Sequence, residues 1–141
     1  MRSLICAASV LVLLTAMVLT SRPAGAKDDE KPSTEHIMKK LYKGKKATFA
    51  EIKAQLKGES PDWKKVEADA KTMEKYLGFL SKGKAPRGDQ AHFEKLASAH
   101  LNDATALDHA AGEKDLEQAR AAVKKIGGSC KSCHQAHRRS H

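Results

Sequence analysis

The 141-residue chain carries 26 lysines and arginines against 17 acidic residues, a formal net charge of +9, and only 4% of it is aromatic. So basic a chain invites a nucleic-acid reading, but its aromatics are too few and scattered to stack bases, and its N-terminus directs it away from nucleic acid. A solvated basic surface able to steer acidic partners is the reading that remains.

The chain opens on a secretory signal. Arg2 supplies the positive start, Leu4 to Leu19 is an apolar run, and Ala24-Gly25-Ala26 is a small-residue cleavage pattern. The run is short for a membrane span and no charged stop-transfer flank follows it. Residues 1–26 are therefore read as signal peptide, and the mature protein as periplasmic and free of the membrane after cleavage. Cys6 stands at the wrong end of the run for lipidation and leaves with the signal, as do Arg2 and Arg22, so the mature charge is near +7. Residues 27–33 form a charged, mobile leader, and residues 34–141 form one domain.

From there the chain lacks strand-like alternation and reads as amphipathic helices separated by Gly, Pro and Ser. A first helix starts near Ser33 or Thr34 and runs to about Lys43, with Ile37, Met38 and Leu41 inward. Gly44, Lys45 and Lys46 interrupt it. Thr48-Phe49-Ala50-Glu51 has the form of a capping box, opening a short helix with Phe49, Ile52 and Leu56 inward and Gly58 at its end. Together the two make one broken arm.

Ser60-Pro61-Asp62 begins the next helix with a capping hydroxyl, a first-turn proline and an acid against the dipole. Trp63, Val66, Ala70, Met73, Tyr76/Leu77 and Leu80 form its core stripe. After a loop over residues 81–88, Asp89 caps a helix whose inward set is Phe93, Leu96/Ala97, His100/Leu101, Ala104 and Leu107, closed by Gly112. The last helix starts about Glu113 and steps through Leu116, Ala119, Val123, Ile126, Cys130, Cys133 and His137 without losing phase. Gly127-Gly128 is thus read as a place where the backbone comes close to a flat group, not as a stop. Four such arms predict an all-α fold, an antiparallel four-helix bundle.

The chemistry is concentrated in Cys130-Lys131-Ser132-Cys133-His134, the attachment sequence for haem c. Thiols at i and i+3 share a helix face and can form two thioethers to one porphyrin edge, while the adjacent histidine serves as proximal iron ligand. A zinc site would need two further ligands at suitable spacing, and a thioredoxin-like pair would sit in a βαβ unit; neither pattern is present. The reading is one covalent haem held by Cys130 and Cys133 with His134 on iron.

This motif, on the last helix close to the C-terminus with Arg138 soon after, resembles that of the class II c-type cytochromes, which include cytochrome c prime and its low-spin relatives. The likeness extends in outline over residues 34–139, and members often carry an aromatic residue where this chain has His137. The resemblance implies a left-handed four-helix bundle, often a homodimer, with His134 proximal and the distal residue supplied by the first helix. Methionine there gives a six-coordinate electron carrier working with redox partner proteins; a non-ligating apolar residue gives a five-coordinate haem that binds nitric oxide or carbon monoxide.

Met38 is the candidate sixth ligand, inward on the first helix; plain core packing is the competing reading. His36 and His100 are further alternatives as ligands, but His36 lies on another face and His100 looks inward as a core histidine or a haem propionate partner; Met73 sits mid-stripe as core. His92 and His109 look exposed. For His137 and His141 a solvated basic tail is simpler than a loose metal site. With no acid–base pair or nucleophile constellation, a non-enzymatic electron-transfer protein is expected, with gas binding as the alternative.

Overall fold

Helices account for all the regular structure in the computed structural model, which describes residues 31–138. The proposed signal peptide, the leader as far as Glu30, and His141 lie outside the described residues. Five helices follow in order: α1 Thr34–Tyr42, α2 Thr48–Gln55, α3 Trp63–Ser81, α4 Gln90–Gly112 and α5 Leu116–His137. No described helix is long and apolar enough to cross a membrane.

Helix starts are set mostly by side chains that take up orphan N–H groups. Ser33 Oγ accepts from the His36 amide at 3.2 Å, and Asp89 accepts from the His92 amide at 2.7 Å, as their positions predict. Elsewhere the caps differ from the sequence expectation. Asp62 itself caps α3, accepting from the Lys65 amide at 3.1 Å, so Ser60 and Pro61 precede the helix. The Thr48–Glu51 capping box does not form: Ala47 is the α2 cap residue, Thr48 is buried within the first turn, and Glu51 instead pairs with Lys65 at 2.6 Å. A cross-helix partner and burial outcompete the local box. At α5 the left-handed Lys114 (φ 58°) turns the chain, so the helix begins at Leu116 under an Asp115 cap rather than at Glu113.

Contacts between helices fix their directions. His36 stacks on Tyr76, Glu51 pairs with Lys65, and Gln55 accepts from the Asp62 amide, so the α1–α2 arm runs antiparallel to α3. Thr105 donates to Glu74 at 2.8 Å, and one turn along Lys71 is electrostatically coupled to Asp108, so α4 runs back along α3. His100 meets Ser129 and His92 meets His137, so α5 runs back along α4. The result is a four-armed antiparallel bundle whose first arm is broken at Gly44, where φ is +100°.

Its core is built from the stripes read in the sequence: Ile37, Leu41, Ile52, Val66, Met73, Leu77, Phe93, Leu107 and Ile126 are all essentially inaccessible. Arg120 of α5 ties the broken arm down. Its guanidinium donates to the carbonyls of Leu56 (2.9 Å) and Gly58 (3.2 Å), groups that the end of α2 leaves without helical partners.

Candidate haem-attachment site

The helical phase that buries Ala119, Ala122 and Ile126 carries on through Gly127 and Gly128 into the Cys130–His134 turn. Cys130 and Cys133 are free and half-buried, one turn apart, and Cys133 packs against the core. Cys130 Sγ donates to the Ile126 carbonyl at 3.4 Å. Burial pushes both thiols above their ordinary pKa, so both remain S–H at neutral pH. His134, the next residue, is exposed.

Opposite this turn stands the broken arm. Tyr42 of α1 is close enough to Cys130 for the sulfur to add to the effect of burial in raising the phenol well above its usual range. Phe49 of α2 packs edge-on to Tyr42 and lies 3.9 Å from where a Gly127 Cβ would stand. A Cβ on Gly128 would meet nothing within 4 Å. The two glycines therefore leave a low strip of helix beside Cys130 that side chains would fill, with aromatic rings from the arm at its edge.

A chain of hydrogen bonds joins the arm to the motif. Ser129 Oγ donates its one proton to the Ile126 carbonyl at 3.0 Å, so it must accept from His100 Nδ1–H at 2.6 Å. His100 Nε2 is then bare and accepts from Tyr42 Oη–H, also at 2.6 Å. The imidazole is thus held neutral as its Nδ1–H tautomer, consistent with a pKa that burial lowers, helped by His134 and opposed by Asp103. His100 is a satisfied core histidine with both nitrogens engaged, which removes it as an iron ligand.

Met38 is half-buried against the core on the flank of α1 that also carries Tyr42 one turn later. Because α1 and α5 run in opposite directions and Tyr42 approaches Cys130, stepping back a turn from Tyr42 moves toward the His134 end of α5. His36 lies on the other flank, stacked on Tyr76 at 6.2 Å, and Met73 is fully buried core. His109 is exposed. His137, against the solvated-tail expectation, is 2% exposed and bonded to the α3–α4 loop.

Sequence reading did not single out Tyr42 or Ser129. Tyr42 stands four residues after Met38 and Ser129 one before Cys130. Those offsets were the available signal, but their common partner, His100, is distant in sequence.

Free thiols one turn apart, an adjacent exposed imidazole and a low glycine strip fit covalent haem. An all-helical bundle with that constellation on its last helix is the arrangement a c-type cytochrome of bundle architecture would require. Residues 88–138, from the α4 cap through the end of α5, match the model of the family described as Cytochrome C'. That match supports a class II c-type cytochrome of the cytochrome c prime type, a family that implies covalently bound haem c. No match was found among curated proteins or among solved structures.

Proposed function

We propose that the protein is an exported electron carrier holding a single haem c through Cys130 and Cys133, with His134 as proximal ligand and Met38 as distal ligand. The observation that carries this reading is the half-buried pair of free thiols beside the exposed His134, facing an arm whose Tyr42 flank also bears a methionine. Bound haem would supply a one-electron iron couple, and a thioether ligand from Met38 would favour the ferrous form.

The chain's own residues do the remainder. Both sulfurs, kept as thiols by burial, present the S–H bonds that thioether formation consumes. Tyr42, His100 and Ser129 fix the arm against α5 and hold a neutral imidazole, not a cation, near the motif. Phe49 and Tyr42 screen one edge from water. The basic surface would steer an acidic redox partner at low ionic strength. The Cytochrome C' match lies outside α1, so the sixth ligand rests on register and chemistry alone.

The test is the spectrum of the purified holoprotein. Mass spectrometry should show one haem retained through acid–acetone extraction on a chain beginning at Lys27. The ferric form should be low-spin, and carbon monoxide should bind slowly. Met38→Ala should give a high-spin haem, fast carbon monoxide binding and a lower reduction potential. An unmutated protein that is already high-spin and takes up carbon monoxide readily would make Met38 a packing residue and the protein a gas-binding one.

A further inference from the structure

A second histidine cluster lies where the start of α4 meets the end of α5, beyond His134 and unused by the haem reading. His137 is buried, and its Nδ1 stands 2.7 Å from the Arg87 carbonyl. A carbonyl only accepts, so Nδ1 bears the proton and Nε2 presents a lone pair. That lone pair faces His92 Nδ1 at 3.1 Å, with the rings tilted at 41°. His92 lies on the exposed surface of α4, so its imidazole can exchange tautomers through solvent, carrying its proton on Nε2 and leaving Nδ1 a lone pair.

The surroundings hold His137 rigid. Phe93 meets the ring edge-on at 5.3 Å, and the Arg87 guanidinium bonds the Gln135 carbonyl at 2.8 Å. Gly88 (φ +77°) lets the loop press against α5: a Cβ there would stand 3.2 Å from the Ala136 carbonyl oxygen and 3.4 Å from His137 Nδ1.

An imidazole whose Nδ1–H is fixed by a backbone carbonyl while Nε2 points to a second imidazole is the outer-shell arrangement of metal-ligating histidines. The spacing agrees. Metal–nitrogen bonds of about 2.0–2.1 Å, at angles between square-planar and tetrahedral, set two ligating nitrogens about 2.9–3.4 Å apart. The observed separation falls inside that range with no movement of the backbone. Among the described residues no group of three or more His, Cys, Asp or Glu side chains could hold a metal, so water would complete the coordination.

We propose that His92 and His137 form a two-histidine site for a divalent transition-metal ion, separate from the haem. Copper(II) should bind most strongly, following the usual order of divalent affinities for nitrogen donors. A metal there would cross-link the first turn of α4 to the last turn of α5, one turn beyond His134.

The experiment titrates the haem-loaded protein with copper(II), reading heat and the electron paramagnetic resonance spectrum. Expected is one equivalent with superhyperfine structure from two nitrogens. His92→Ala, at an exposed position, should weaken that equivalent at least tenfold, while His109→Ala leaves it unchanged. Saturating zinc should raise the Tm of the parent but not of His92→Ala, a readout that does not depend on His137 variants folding. Should His92→Ala bind copper and respond to zinc as the parent does, the pair is a hydrogen bond only and the proposal is overturned.

Discussion

The α4–α5 hairpin and the α1–α2 arm wall the same site, yet they are built on different principles. The hairpin has two long helices of 23 and 22 residues, each opened by an aspartate accepting from the backbone. Histidine contacts join it near its middle and at one end, His100 with Ser129 and His92 with His137. The arm has helices of nine and eight residues, the second without a side-chain cap. Helices that short are marginal alone, so the arm depends on burying Ile37, Leu41 and Ile52 and on the grips of Tyr42 and Arg120. The Cys130–His134 motif sits on the wall of long, capped helices. On the proposed function, the distal face would fall to the wall that tertiary contacts hold, where one side chain could change coordination without endangering the motif.

The largest test of this division removes core from each wall. Phe93→Ala, at a site 1% exposed in the hairpin, should cost about 3–5 kcal/mol and lower the Tm of the whole domain. Leu41→Ala should also destabilise, by about 2–5 kcal/mol, but its native-state hydrogen exchange should differ. Amides of α1 and α2 should exchange faster by a larger factor than those of α4 and α5. Equal acceleration in both walls would show that the arm and hairpin open only together.

The bond between the walls comes next. Tyr42→Phe leaves His100 Nε2 without its donor and should cost about 1–3 kcal/mol at neutral pH by denaturant unfolding. The pH dependence has a definite sign. Burial lowers the folded-state pKa of His100, so below the unfolded value, about 6.5, the unfolded chain binds more protons than the folded one. The stability contributed by the neutral imidazole is complete above that value and is lost as pH falls through it toward the depressed folded-state value. His100→Gln should flatten this part of the acid unfolding curve.

The smallest effect belongs to a single cap. Asp89→Ala should cost about 0.5–2 kcal/mol, seen as a modest fall in Tm, because its carboxylate accepts from the His92 amide. The same change is expected to fray the first turn of α4 without disturbing the spectrum of the haem-loaded protein.

Much of this organisation could be read before the structure was known, because the signals were local or periodic. Apolar residues at three- and four-residue steps mark the bundle, since a helix brings just those positions to one face. Asp89 and Ser33 are legible as caps because the bond they make spans three residues. The five residues from Cys130 to His134 are legible as an attachment pattern from their own spacing. The tertiary structure alone decided what depends on distant partners. Thr48 and Glu51 have the letters of a capping box, but burial takes one and Lys65 the other. His100 could have been core or ligand until Tyr42, 58 residues away, and Ser129, 29 residues away, took both its nitrogens. His92 and His137, 45 residues apart, become neighbours only because α5 runs back along α4 in that register. Helical phase is written in every few residues, whereas register between helices emerges only when the whole core packs.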